Sequence, residues 1–318
     1  MNSTHAVARL GWAIVMVVAA ITLTQLIGWS GFSILAVAQS LTPYLGMLLV
    51  PIGVVALWRR HFMLAAAAGL IGLLVLVMAA PLAFPDPQAD VAPSAEGLTV
   101  ASANLLYKND RVQDVSPIIE RLDADIIVFQ EYTEAHQTAL KDTTLASTYP
   151  FHVDLPGRGA TGIAVWSRHR LVVSPPLGTF VRSLDVVIDG PDGEVRLVSV
   201  HMPTPVAHFG DWRSDLDTAA RIGREADSAN DPTLLIGDLN TSYWHPDFRR
   251  LLDAGFVDAH IATGQGFSAS WPTTWFIPPF VRLDHALTAG GLVSTEIDDF
   301  EIPGSDHRGL VVTVAPAR

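Results

Sequence analysis

The chain has 318 residues and no cysteine, which excludes disulfides, thiolate metal sites and a cysteine nucleophile. Its formal charge of −12 lies wholly in residues 98–318, which hold 17 Lys and Arg against 29 Asp and Glu. That balance argues against the basic face of a protein that grips long nucleic acid. Mean hydropathy is nevertheless +0.33, and the excess is local: residues 1–84 carry only Arg9, Arg59 and Arg60 among charged side chains.

In chain order, the first features are three apolar stretches at about 10–27, 32–58 and 62–84. Each approaches or exceeds the ~20 residues that carry a helix across the ~30 Å hydrocarbon layer, so three transmembrane helices are predicted. Pro43 and Pro51 are expected to kink the second. Trp12, Trp29 and Trp58 fall near the expected interfaces, where indoles prefer to sit. A signal peptide would account for one such stretch but not three. Arg9 precedes the first span and Arg59-Arg60 separate the second from the third. The positive-inside rule puts both in the cytoplasm, so after three crossings the rest of the chain lies outside. Residues 85–97, PDPQADVAPSAEG, read as a short, stiff, polar linker and mark a domain boundary. The globular domain is then 98–318.

Within it, strands are predicted at 98–103, 125–130, 162–166, 184–189, 194–200, 233–237, 283–288 and 309–314. Helices are predicted at 111–122, 133–141, 211–229 and 245–254. The helix at 211–229 separates Leu216, Ala219, Ala220 and Ile222 from the charged Arg213, Asp217, Arg221 and Arg224. The Pro-Asp-Gly between 184–189 and 194–200 signals a hairpin, so the sheets are mixed rather than all-parallel. An α/β fold with two packed sheets under outer helices is the natural arrangement.

Polar residues end these apolar runs. They are Asn104 in VASAN, Glu131 in DIIVFQE, His201 in RLVSVH, Asp238 and Asn240 in LLIGDLN, Asp284 in RLDHAL, and Asp306-His307 in GSDH. Strand ends gather on one edge of a sheet, so residues distant in sequence can meet there. Carboxylates, amides and imidazoles brought together are costly without compensating positive charge. A divalent cation with a phosphate ester supplies it, and the pattern therefore reads as a metal-dependent phosphoesterase.

The ordered set of FQE, SVH, GDLN and SDH, with the Asn closing the first strand, resembles the endonuclease/exonuclease/phosphatase superfamily, which includes pancreatic-type deoxyribonuclease, abasic-site endonucleases, sphingomyelinases and inositol polyphosphate phosphatases. GATGIAVWSR (159–168) and RLDHAL (282–287) also look like its elements. The resemblance spans about 98–318 and implies a four-layer α/β sandwich. Apolar spans, a Pro-rich linker and an exported domain of this kind further resemble bacterial teicoplanin-resistance membrane proteins. That likeness implies a multi-pass protein of a bacterial-type cell membrane, an extracytoplasmic catalytic domain and a polyprenyl-phosphate substrate.

On this reading Glu131 is the main Mg²⁺ ligand with Asn104 beside it, since Mg²⁺ takes few hard oxygen ligands and completes its shell with water and phosphate. Mn²⁺ and Ca²⁺ are the alternatives. By resemblance Asp238 orients or deprotonates the attacking water, and Asn240 donates its amide to the phosphoryl oxygen. Asp284 fixes the tautomer of His307 and raises its basicity; which of Asp238 and His307 activates the water is left open. Asp306 either binds metal or supports the site. His201 contacts the phosphate or protonates the leaving oxygen. His245, His260 and His285 are weaker candidates, and His285 should face away from the site. The segment 267–280, FSASWPTTWFIPPF, sets Trp271, Trp275, Phe276 and Phe280 just before Asp284, either as core or as an apolar lip on a bilayer or lipid tail. A phosphate-containing, lipid-linked substrate is therefore expected, with membrane lipid as a partner. A membrane-anchored nuclease is the second expectation and a non-catalytic partner-binding protein the third.

Overall fold

The computed structural model describes residues 3–85, 88–273, 276 and 278–318. The apolar N-terminal region forms α1 (Ser3–Leu26), α2 (Ser33–Ser40), α3 (Thr42–Trp58) and α4 (Phe62–Ala83). Helices α1 and α4 are each long and apolar enough to cross a membrane, whereas α2 and α3 qualify only as a pair bent by 63°. The second stretch thus breaks at Leu41, and α3 runs on through Pro51. Pro43 falls in the first turn of α3, where its missing N–H costs nothing and its fixed φ favours a helix start.

Buried polar side chains fix the break. Gln39 donates from Nε2 to the Trp29 carbonyl at 2.9 Å and to Thr24 Oγ1 at 3.0 Å. Ser30 Oγ donates to Gln39 Oε1 at 2.9 Å, and Gln25 donates to Thr42 Oγ1. In an apolar helix set these bonds satisfy groups that would otherwise be stranded. They turn α2 onto the globular domain, where Ala36 is fully buried and its carbonyl accepts from His245 Nε2 at 3.0 Å. Tyr44 at the start of α3 donates to the Phe280 carbonyl at 2.6 Å, and Leu82 near the end of α4 packs on Trp244 and Ile261. Val7 and Ala8 lie beside Arg59 and His61. The helix ends that bear Arg9, Arg59 and Arg60 are therefore opposite the ends that meet the domain.

The segment after α4 is pinned rather than free. Gln88 exchanges two hydrogen bonds with the backbone of Ser294, Val91 bridges to Ala317, and Asp192 accepts from the amides of Glu96 and Gly97.

The strands are β1 (Leu98–Asn104), β2 (Ile126–Gln130), β3 (Phe151–Leu155), β4 (Ile163–Ser167), β5 (Leu171–Val173), β6 (Leu184–Gly190), β7 (Gly193–His201), β8 (Thr233–Asp238), β9 (Val257–Asp258), β10 (Asp284–Ala289), β11 (Leu292–Glu301) and β12 (Arg308–Pro316). They form two six-stranded sheets, ordered β11-β12-β1-β2-β4-β3 and β5-β6-β7-β8-β10-β9. Both are mixed: β1/β2 and β7/β8 are parallel, and the other pairs are antiparallel. The Pro-Asp-Gly hairpin joins β6 to β7 with Gly190 opposite Gly193.

The sheets face one another across Val100, Val128 and Val165 on one side and Leu197, Leu234 and Ile236 on the other. Helices α5 (Ser116–Leu122), α6 (Glu134–Lys141) and α7 (Leu145–Thr148) bury Ile119, Leu140 and Leu145 against the first sheet. Helices α8 (Phe209–Ala229) and α9 (Pro246–Asp253) bury Leu216, Ile222 and Leu251 against the second, and a short α10 (Ala259–Ala262) follows β9. The result is the four-layer α/β sandwich expected. Strands β3, β5, β9 and β11 lie outside the expected set. For β11 the reason is physical: it is an edge strand carrying Glu296, Asp298, Asp299 and Glu301. Charge repels a further strand from such an edge, and it also hides the strand from a hydrophobic reading.

One glycine fixes where β8 delivers its last residue. Gly237 has φ 141°, and a Cβ there would sit 2.0 Å from the Val200 carbonyl oxygen on the neighbouring strand. Gly237→Ala is expected to destabilise the protein by about 3 kcal/mol or more, because rigid backbone must move and the conformation is strained. A melting temperature within a few degrees of wild type would refute this.

Candidate active site

Three strands of the second sheet end on one rung. In the register His201 of β7 is opposite Asp238 of β8, and Asp238 is opposite Asp284 of β10. The first sheet brings Asn104 at the end of β1, Glu131 just after β2, and His307 just before β12. All six meet where the two sheets' ends adjoin.

Asp238 is the hub. Its Oδ1 accepts from the Asn240 amide N–H at 2.8 Å, and its Oδ2 accepts from Asn104 Nδ2 at 3.0 Å. His201 Nε2 lies 3.6 Å from that same oxygen and His307 Nε2 3.7 Å. Glu131 is bridged to the hub through Asn104 Nδ2 at 3.4 Å and lies 4.0 Å from His201 Nε2. The Glu131 carboxylate also accepts from the Tyr107 backbone N–H at 2.9 Å. Glu131 and Asn240 both adopt left-handed backbone (φ 54° and 46°), which sharply turns the chain after each strand and is tolerated where tertiary structure over-determines it.

The imidazoles are oriented by groups behind them. His201 Nδ1 donates to the Ala160 carbonyl at 2.9 Å, leaving Nε2 toward the carboxylates. His307 Nδ1 is 2.8 Å from Asp284 Oδ2. Ser305 Oγ accepts from the His307 amide and donates to the Asn104 carbonyl at 2.7 Å, and so ties the loop before β12 to the end of β1 within the first sheet. Ser270 Oγ accepts from the amides of Leu283 and Asp284.

Burial raises the Asp238 carboxyl pKa and the nearby Asp284 charge adds to the rise, while His307 and His201 oppose it. Burial works against a charged His307, but Asp284 and Asp238 outweigh it and hold its pKa at about 10. His307 thus binds its proton more tightly folded than unfolded, relative to an ordinary 6.5. The resulting stability is complete below about 6.5 and is lost as pH rises toward about 10. Chelator-treated protein should therefore melt at progressively lower temperature across that window, with a flatter profile for His307→Gln. Parallel profiles for the two proteins would refute the assignment.

The other expected residues divide. Asp306 borders the same cleft, and its Oδ2 accepts from Trp271 Nε1 at 3.2 Å. Asn240 Nδ2 donates to the Met202 carbonyl at 2.9 Å. Asn104 turns its amine to the carboxylates while its oxygen accepts from the Leu106 amide at 3.0 Å, so ligation by that oxygen needs the amide to turn over. His245, His260 and His285 are structural. His245 bonds α2, His260 meets Asp299 at 3.2 Å, and His285 faces away from the cleft, 2.7 Å from Asp258. Of the aromatic segment, Trp271 turns inward to Asp306 and Phe280 packs edge-on against Tyr44, whereas Phe267 and Phe276 are exposed; Trp275 lies outside the described residues.

The cleft over these residues has a volume of about 600 Å³. No lysine or arginine is among its described lining residues, so the positive charge a phosphate needs there would come from the His307 imidazolium and a bound cation. Buried carboxylates facing one cleft fit a hard divalent cation. Two groupings offer themselves. Ligand atoms of Asp238, Asp284 and His307 lie within 4.8 Å of one another. The second consists of Glu131 and Asp306, which line the same cleft, with Asn104 beside Glu131. Chemistry favours the second, because Asp284 and His307 already bond each other through a proton that a cation would have to displace.

A two-sheet sandwich whose strand ends deliver buried carboxylates, amides and imidazoles to a cation-demanding cleft defines a phosphoester hydrolase. The chain belongs to the endonuclease/exonuclease/phosphatase family, whose model matches residues 101–307. Members of that family are phosphoester hydrolases, typically dependent on a divalent metal. The fold is similar to TDP2 from D. rerio in complex with a single-stranded DNA product, with TM-score 0.56, 15% identity, and coverage of 69% of this chain and 99% of that one. Truncated TDP2 from Caenorhabditis elegans gives 0.57 at 18% identity, covering 69% and 98%. A protein of this family from Leptotrichia buccalis gives 0.54 at 18% identity, covering 68% and 99%. No curated protein matches the chain in a sequence comparison.

Proposed function

We propose that the protein is a membrane-anchored, Mg²⁺-dependent phosphoesterase that hydrolyses a lipid-linked phosphate or pyrophosphate outside the cytoplasm. The observation that carries the reading is the site of α2: the catalytic cleft is walled in part by Val37 and Ser40 of a helix folded back from the apolar N-terminal set. An active site bordered by a membrane-associated helix suits a substrate held in the bilayer. The resemblance to teicoplanin-resistance membrane proteins favours the same reading. The sidedness follows from the three arginines clustered at the helix ends opposite the domain.

Glu131 would hold the cation, with Asn104 and Asp306 as further oxygen donors. When bound, the metal supplies positive charge to the phosphoryl oxygens and lowers the pKa of coordinated water. Asp238 accepts the proton of the attacking water; its raised pKa makes it a better base, and its Oδ1 is fixed by the Asn240 amide. His307, held as an imidazolium by Asp284, offers an N–H and a charge to the equatorial oxygens. His201 stands on the other side of Asp238 and protonates the leaving oxygen. The Asn240 side chain leaves the Met202 carbonyl to donate to the phosphoryl group.

The second reading is a membrane-anchored nuclease, and the D. rerio neighbour with its DNA product favours it. A cleft with no lysine or arginine among its described lining residues, and the −12 charge, weigh against it. The test is an assay of the full chain in detergent, with Mg²⁺, on polyprenyl pyrophosphate, phospholipids and plasmid DNA. Release of phosphate from the lipid substrates alone is expected. Cleavage of DNA alone, with steep salt dependence of binding, would replace the reading with the second. Protease added to intact cells should digest the domain; full protection would overturn the topology.

A further inference from the structure

Three cavities form a line through this molecule. The first, about 440 Å³, lies between α3 and α4 and is bordered by Gly53, Val54, Gly69, Gly72 and Leu76. The second, about 250 Å³, lies between α3 and the domain and is bordered by Tyr44, Trp244, Phe267 and Phe280. The third is the catalytic cleft. Pro43 and Met47 line both the first and the second; Ser40 and Val281 line both the second and the third. The cavities therefore adjoin one another, from the apolar faces of the helices to the carboxylates.

Their chemistry changes along the line. No charged residue is among the described lining of the first cavity. The charged residues bordering the second are already engaged: Arg282 with Asp299 at 2.8 Å, and Asp258 with His285 at 2.7 Å. Of the three, only the cleft is lined by Glu131, Asp238, Asp306 and His307. From Pro43 to Leu57 the groove follows α3 for ~20 Å at the helical rise. Gly69 and Gly72 leave it open, because a Cβ at either position would meet nothing within 4 Å.

We propose that α2, α3 and α4 are part of the substrate site, forming a groove in which the hydrocarbon chain of a lipid phosphate lies while its head reaches Asp238 and His307. This rests on the phosphoesterase reading above and names what the membrane helices contribute to it. An apolar groove that adjoins the catalytic cleft commits its occupant to an apolar tail with an anionic phosphate at one end. The helices position the substrate as well as tether the domain, and the break at Leu41 is what brings the groove's mouth to the cleft.

The test compares long-chain and soluble substrates in the full chain. Polyprenyl pyrophosphate and phosphatidic acid distinguish an isoprenoid from an acyl chain, and p-nitrophenyl phosphate reports the cleft without a tail. Gly72→Leu and Gly69→Leu fill the groove without striking backbone. Each should lower the ratio of kcat/KM on the long-chain substrate to that on p-nitrophenyl phosphate by tenfold or more, mainly through KM. An unchanged ratio overturns the proposal while leaving the phosphoesterase reading intact. Failure of the wild type on both long-chain substrates overturns the proposal and the lipid-linked part of the reading above; failure on p-nitrophenyl phosphate as well overturns the phosphoesterase reading. Should a variant lose activity on everything through misfolding, a thiol decides. The chain has no cysteine, so Met47→Cys gives a single reporter. A long-chain alkyl phosphonate should protect it from a methanethiosulfonate reagent by tenfold or more, but should not protect Leu70→Cys, which is on an exposed face of α4. Equal labelling of Met47→Cys with and without the phosphonate overturns the proposal.

Discussion

Asp238→Asn is expected to lower kcat by between about 10² and 10⁴, the range for removal of a positioned general base. Asparagine keeps the acceptor for the Asn240 N–H and the volume of the side chain, so fold and substrate binding should survive. What is lost is the proton acceptor whose basicity burial enhances. The same burial makes a second outcome testable. A carboxyl whose folded pKa is raised binds protons more tightly folded than unfolded, so its contribution to stability falls as pH rises through the folded pKa. At neutral pH the Asp238 charge is therefore a burden on the fold. Metal-free Asp238→Asn should melt no lower than metal-free wild type, an exchange of stability for function common at active sites. Wild-type turnover by the variant would end the proposed mechanism.

Glu131→Gln is expected to remove cation binding. Loss of an outer partner of a metal ligand costs about 10- to 100-fold in affinity, and loss of the ligand itself should cost more. Because the cation supplies several kcal/mol of transition-state stabilisation, and about 1.4 kcal/mol is tenfold in rate, kcat/KM should fall by about 10³. The oxygen of the glutamine amide can still accept from the Tyr107 N–H, which holds the loop although the bond from Asn104 Nδ2 is lost, and this separates metal loss from collapse of the loop. Calorimetric titration with Mg²⁺, Mn²⁺ and Ca²⁺ measures the affinity directly. Undiminished binding by Glu131→Gln would shift the cation to the grouping of Asp238, Asp284 and His307.

The site was legible in the sequence to the extent that it is made of side chains at strand ends. Asn104, Glu131, His201, Asp238, Asp284 and His307 each follow or begin a run whose apolar character is set by burial, and the sandwich gathers such ends at one place. The parts built from backbone were invisible. The Tyr107 amide on Glu131, the Ala160 carbonyl on His201 and the Ser305 hydroxyl between Asn104 and His307 depend on loop paths that no periodicity encodes. The helix break was hidden for another reason. Mean hydropathy registers 32–58 as one stretch, while the fold of that stretch is decided by a few polar atoms of Gln25, Gln39 and Thr42, which must bond one another and so bend the chain. The aromatic segment divided between the two readings open to it, with Trp271 turned in and Phe267 and Phe276 turned out, because amphipathic lips and core plugs have the same composition.

His201, Asp238 and Asp284 share one rung across β7, β8 and β10. Their separations are therefore set by interstrand spacing, ~4.8 Å per step, and not by loops. Divergence in such a molecule is constrained unevenly. A slip of one residue in either pairing would turn a reactive group to the opposite face, so the chemistry resists drift. The bent N-terminal helices and the described residues 267–273 obey no such lattice, and new specificities can arise there while the reaction stays the same.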